Sequence, residues 1–186
     1  MTIFSPRDIL GGVIGSWHHP RGESLPMTDV VLLRDVTEGD LTIFFEQQLD
    51  PAANFMAAFT AKDPVDREAF TAHWAKILGD KTIKIKTILF EGHVVGYVLS
   101  HGWYGKPEVS YWIGKEYWGK GIATQALSEF LDLQEVRPLY AWVAKDNVAS
   151  LRVLKKCGFK IVGHGKGYAN ARGEEIEEVN LKLEKK

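Results

Sequence analysis

A single cysteine, Cys157, stands in 186 residues, so no internal disulfide can staple the fold. Lying just ahead of Gly158 and Phe159, the thiol reads as a small core residue, and a reducing, cytoplasmic setting is expected. Charge of one sign is lacking too: 23 Lys and Arg against 24 Asp and Glu leave a formal charge of −1. That balance supplies no broad field for nucleic acid or an anionic membrane, and neither is expected as a partner. No apolar run approaches the ~18 residues of a spanning helix. The first ten residues carry Asp8 and no basic start leading into an apolar stretch, which argues against a secretory leader. Metal-ligand spacings are missing as well. His18 and His19 are adjacent, with only Glu23 nearby and no cysteine, so no metal site is expected.

What is present suits a globule with a sizeable core: 45% hydrophobic and 25% charged residues. Gly11, Gly12, Gly15, Pro20, Gly22 and Pro26 break any periodicity near the start, so residues 1–27 read as an N-terminal extension and 28–186 as one domain. Residues 30–36 form an apolar strand. Asp40 is expected to cap a helix that runs to Leu49 and ends at Pro51, and Asp63 to cap a second helix starting at Pro64. Alternation over 81–90, a turn at Glu91-Gly92-His93 and a strand over 94–100 make a hairpin. Further strands are expected at 107–113, 139–143, 160–162 and around Val179, Leu181 and Leu183. Helices are expected at 121–133 and 147–157. A mixed sheet with two helices early and two late is an α/β sandwich.

The run from Tyr111 to Thr124 is the most telling segment. A strand ending in Tyr111-Trp112-Ile113 leads through a short turn into a helix opening on Gly119-Lys120-Gly121. Bare N–H groups and the positive end of a helix dipole then converge on one spot, which is how phosphate is held. Three anion-binding patterns compete. The P-loop pattern fits from Gly114 to Lys120 and fails at Gly121, where the magnesium-binding hydroxyl is required. The dinucleotide fingerprint finds two glycines, Gly119 and Gly121, but Thr124 at the third position. The third is Q/R-x-x-G-x-G/A, a coenzyme A loop; residues 118–123 meet both small-residue positions and place Trp118 at the first.

This third pattern belongs to the GNAT acyltransferases, and residues 108–159 resemble their RimJ/RimL branch. Tyr111, Trp112, Trp118, Gly119, Gly121, Ala123 and Thr124 carry one block of the likeness. Asn147, Ser150, Lys156, Gly158 and Phe159 carry a second. The resemblance implies a mixed, mostly antiparallel sheet flanked by helices, with splayed central strands. It implies acetyl-CoA as cosubstrate and no metal, with the pantetheine arm between strands 107–113 and 139–143. Backbone groups of Trp112 and Ile113 would bond the arm and stabilise an oxyanion, and Asn147 would meet the pantetheine amides. Trp118, Gly119, Lys120, Gly121, Ile122, Ala123 and Thr124 would line the pyrophosphate.

Catalysis needs an acceptor for the amine's proton and a donor for the departing thiolate. Glu108, at the start of the strand, is the first candidate base, acting through water; the plain alternative is a solvated strand-end carboxylate. His101 is the runner-up. The family often places a Tyr acid seven residues after the Asn, where this chain has Leu154, so Ser150 is the substitute acid; a first-turn Ser bonding its own helix is the alternative. Asn147 could equally be a simple helix cap. Glu174, Glu175, Glu177 and Glu178 read as a solvated face, or, lining an acceptor groove, as a preference for cationic amines. The expected activity is acetylation of a primary amine, on a protein N-terminus or a small molecule, by direct attack in a ternary complex. A non-catalytic acyl-CoA sensor is the alternative, a nucleoside-triphosphate enzyme a third class, and a homodimer is left open.

Overall fold

The computed structural model describes residues 30–102 and 105–184. The expected extension over 1–27, with His18 and His19, lies outside them. Among the described residues, seven strands form one sheet in the order β1-β2-β3-β4-β5-β7-β6. They are β1 (Val31–Arg34), β2 (Lys84–Phe90), β3 (His93–His101), β4 (Glu108–Ile113), β5 (Leu139–Ala144), β6 (Lys160–Ala169) and β7 (Glu174–Leu183). The helices are α1 (Glu38–Gln48), α2 (Pro51–Ala57), α3 (Arg67–Gly79), α4 (Ile122–Asp132) and α5 (Val148–Lys156), with a 3-10 turn over Lys115–Tyr117. Neighbouring strands are antiparallel except β4 and β5, which run parallel.

Local chemistry explains most boundaries. Glu91 and Gly92 both have positive φ (51° and 80°), the two-residue turn whose twist matches its flanking strands. His93 therefore pairs with Phe90 instead of sitting in the turn. Two expected helix starts shift, and one helix was not expected. Thr37 is the N-cap of α1, and Asp40 stands three residues inside, accepting from the Thr37 N–H at 2.8 Å. Pro51 opens α2 rather than only closing α1, because Asp50 caps the Ala53 N–H at 2.8 Å and Pro fits the first helical position. Asp66, not Asp63, caps α3 through the Ala69 N–H at 2.9 Å, while Asp63 shapes the turn before it. Strand β6 is much longer than the expected 160–162. Gly163, Gly165 and Gly167 disguise it as loop in the sequence, yet it pairs with β7 from Lys160 to Ala169 with one bulge at Val162.

Two helical layers clothe the sheet unequally. On one face, Ile122, Leu127 and Phe130 of α4 and Leu154 of α5 pack on Val109, Ile113, Leu139, Ala141, Val179 and Leu181. On the other, α1 and α3 cover β2 and β3, where Phe44, Trp74 and Tyr97 form a cluster with centroids about 5 Å apart. Strand alternation then places Glu108 of β4, Trp142 of β5 and Glu178 of β7 on that second face, beyond α1 and α3.

Helix α2 is clamped over the far end of this open stretch. Asn147 Nδ2 donates to Met56 O at 2.9 Å. Arg172 donates to Phe55 O at 3.0 Å while its guanidinium forks onto Asp146 at 2.7 and 3.0 Å. Ala58, fully buried against Ala144 and Ala169, holds φ at 65°, a conformation costly for a residue with a Cβ.

Candidate active site

Strands β4 and β5 share one paired position, Glu108 with Tyr140, tied by the Tyr140 N–H to Pro107 O at 2.9 Å. Beyond it they diverge, as the sequence led us to expect. Which backbone groups face the gap follows from the pairing of β4 with β3. The Gly114 N–H bonds Val95 O at 2.9 Å, and a Cβ on Gly96 would sit 1.9 Å from Trp112 O. The Trp112 carbonyl is therefore turned to β3, and alternation gives the gap to Val109, Tyr111 and Ile113. Of the two residues expected to offer backbone groups there, Ile113 is suitably turned and Trp112 is not.

The glycine loop closes the wide end of the gap. Gly119 and Gly121 have φ of 78° and 79°, which only glycine adopts cheaply, and a Cβ on either would meet nothing within 4 Å. Thr124 N–H folds back to Gly121 O at 3.0 Å. The N–H groups from Gly119 to Ala123 have no acceptor among the described residues, as the first turn of a helix leaves them. Trp118, where the family pattern has Gln or Arg, donates its indole N–H to Ile113 O at 2.8 Å and so pins the loop to the end of β4. Lys120 is exposed, its ammonium 5.5 Å from the Tyr117 ring. Five unclaimed N–H donors around open space, at the positive end of α4, fit a pyrophosphate.

Side chains bridge the gap on both faces of the sheet. On the open face, Trp142 Nε1 donates to Glu108 Oε1 at 3.3 Å. Burial raises the Glu108 carboxyl above the ordinary range, and the charge of Glu178 adds to this; the Trp142 bond and the Lys106 charge work against it. Glu178 is likewise pushed up by burial. His101 stands directly opposite Glu108 on β3, and burial pushes its imidazole down, towards the neutral form. On the helix face, the Tyr111 hydroxyl lies 2.8 Å from Ser150 Oγ. Asn147 caps α5 through the Ser150 N–H at 3.0 Å, so both ends of its amide are engaged and the helix-cap role is present in the structure. Leu154 is buried in the core under the sheet.

A base candidate and an acid candidate thus flank one gap from opposite faces. Sequence reasoning missed the Tyr111 side chain and Trp142. The only trace of Trp142 in the sequence is a large aromatic at an alternate, polar-face position of strand 139–144. The acidic run divides: Glu177 pairs with Lys145 at 2.7 Å and Glu175 with Lys166 at 3.9 Å, while Glu178 faces inward over Gly165 and Gly167. No group of potential metal ligands occurs among the described residues.

Comparison with known proteins bears on this geometry. The acetyltransferase (GNAT) domain profile matches residues 31–160. An uncharacterized N-acetyltransferase p20 of Bacillus licheniformis is 29% identical over 77 residues, which span 39% of this chain and 43% of that relative. Among solved structures, Mycobacterium smegmatis RimJ in complex with CoA-disulfide is similar, with a TM-score of 0.70 and 24% identity over 85% of this chain and 83% of that one. Vibrio cholerae spermidine N-acetyltransferase in complex with CoA and spermine superposes with a TM-score of 0.71 and 18% identity, covering 83% and 95% of the two chains.

Proposed function

The chain belongs to the GNAT acetyltransferase family, and from that premise we propose that it transfers an acetyl group from acetyl-CoA to a primary amine by direct attack in a ternary complex. The observation that supports this most is the β4–β5 gap, with Glu108 on one face and Ser150 on the other. The N–H groups of Gly119 to Ala123 would hold the pyrophosphate, and the gap-facing backbone of Tyr111 and Ile113 the pantetheine arm. Bound there, acetyl-CoA supplies a thioester carbonyl and a thiolate leaving group. Glu108, raised by burial, accepts a proton from the incoming ammonium through water. Ser150, at the N-terminus of α5, donates one to the departing sulfur. Asn147 orients that turn by capping it. A cytoplasmic setting suits this chemistry.

The acceptor enters over the open face. Glu178 and Glu108 share it with the indole of Trp142, 40% exposed, and neither carboxylate has an ion-pair partner among the described residues. Two carboxylates beside an aromatic face favour a cationic amine, so we assign such an acceptor, whether a small polyamine or a basic N-terminus. Turnover of acetyl-CoA against a panel of polyamines, basic-start peptides and neutral-start peptides tests both levels. Acetylation of the cationic members alone is the expected result. Tight acetyl-CoA binding without turnover on any amine would overturn the catalytic reading in favour of a sensor.

A further inference from the structure

We propose that Tyr111 is a positioning residue that completes a two-hydroxyl relay, turning the Ser150 proton towards the gap and replenishing it from the phenol. The proposal rests on Ser150 acting as the proton donor. Its own support is geometric. Tyr111 projects from β4 and Ser150 from the first turn of α5, so their 2.8 Å bond crosses the gap where β4 and β5 have parted. A first-turn Ser ordinarily bonds its own helix; here the backbone N–H of Ser150 is already taken by Asn147, and its hydroxyl meets the phenol. Either hydroxyl can donate in this bond; when Tyr111 donates, as the relay requires, the Ser150 hydrogen is released to turn towards the gap between β4 and β5.

The chemistry also asks for such a partner. An aliphatic hydroxyl holds its proton about as tightly as water, at ~16, and is a poor acid towards a thiolate near ~8.5. The Tyr111 phenol, pushed up to about 12 by burial and held back by its bond to Ser150, is still far the stronger acid. In the relay, the Ser150 O–H bond breaks as the thiol S–H bond forms. The Tyr111 O–H bond breaks as the Ser150 O–H is remade, and the phenolate is then reprotonated by hydronium or a buffer acid, which balances the proton that the incoming ammonium releases through Glu108. Leu154, buried where relatives often carry a Tyr, makes no contribution; the phenol comes from the neighbouring strand instead.

The test combines a mutant cycle with a spectroscopic readout. Tyr111→Phe is expected to lower kcat about 10-fold with KM for acetyl-CoA unchanged, and Ser150→Ala to lower it ~100-fold. The double variant should be no slower than Ser150→Ala, because Tyr111 acts only through that hydroxyl. In wild-type chain carrying 13Cζ-labelled tyrosine, adding free coenzyme A should move the Tyr111 resonance, and the same addition to Ser150→Ala should not. Independent, multiplying losses in the cycle, or full turnover by Tyr111→Phe beside an impaired Ser150→Ala, would overturn the relay alone. Full turnover by Ser150→Ala would withdraw the donor assignment and the relay together. Should Tyr111→Phe fail to fold, an unmoved Tyr111 resonance in the wild-type chain overturns the proposal without it.

Discussion

Substituting Gly121 separates the two reasons why a glycine stands there. Its φ of 79° costs a residue with a Cβ about 1–2 kcal/mol, yet that Cβ would touch nothing within 4 Å. Gly121→Ala, Gly121→Lys and Gly121→Glu should therefore all fold, each with a melting temperature lowered by about 2–8 °C for a chain of this size. What distinguishes them is charge. A carboxylate about 4 Å from a phosphate oxygen is repelled by ~1 kcal/mol at the dielectric of water and ~4 kcal/mol at that of a protein surface. The Kd for acetyl-CoA should then be about 5-fold weaker in the Glu variant than in the Ala variant at the lower limit, and several hundredfold at the upper. The Lys variant should bind at least as well as Ala. Calorimetry at low salt reads the affinities and scanning calorimetry the stabilities. Equal affinity in the Ala and Glu variants would refute the placement of the pyrophosphate at this loop, however the stabilities fall.

Further expectations concern single carboxylates. Glu108→Gln should abolish the acidic limb of the kcat/KM profile and lower the plateau by 100-fold or more, with acetyl-CoA affinity unchanged; a preserved limb would shift the base assignment to His101. Because the folded chain raises the Glu108 pKa, the stability linked to this group is present below its unfolded pKa and lost as pH rises through the folded one, so Glu108→Gln should melt higher than wild type near neutrality. Glu178→Gln should raise KM for a dicationic acceptor about 10-fold and leave a singly charged amine unaffected, as steady-state kinetics on matched amines would show. Asp40, 3% exposed, resists desolvation through Arg34 at 2.6 and 2.7 Å, the Thr37 N–H and the Thr87 hydroxyl, which hold its carboxyl at about 2 rather than 3.8. At about 1.36 kcal/mol per pH unit this is roughly 2 kcal/mol, present above pH ~4 and lost as pH falls through ~2; Asp40→Asn should lack that acid transition in a pH series of denaturant melts.

The shape of the glycine loop was legible because its requirement is local: positive φ beside a helix start is cheapest with glycine, and Gly119 and Gly121 stand there. The hairpin at Glu91-Gly92 was legible from Gly92 and the alternation on either side of it, although Glu91 also holds positive φ. Helix starts at Asp40 and Asp63 were misplaced because each lies three residues from a second plausible cap, Thr37 and Asp66. Arg34, just before it on β1, and Thr87, far along the chain on β2, both claim Asp40. The extent of β6 was illegible because Gly163, Gly165 and Gly167 imitate loop, while their real constraint is steric: a Cβ at 165 or 167 would press on Glu178 or Phe59 within about 3 Å. The partnership of Tyr111 with Ser150 was invisible because it joins positions 39 apart across strands whose divergence no local pattern encodes.

The single rung between β4 and β5 also has a mechanical meaning. It divides the sheet into a four-stranded leaf, β1 to β4, and a three-stranded leaf, β5 to β7, hinged at Glu108 and Tyr140. Backbone amides that an unbroken sheet would spend on the next strand are left for a guest, so a ligand lying in the cleft would complete the ladder the protein leaves unfinished. Folding and loading are then coupled: ligand bound only by the native state adds RT ln(1 + [L]/Kd) to stability, about 2.7 kcal/mol at a hundredfold excess over Kd. With coenzyme A lying in this seam as proposed, the seam is where binding would add to the stability of the sheet.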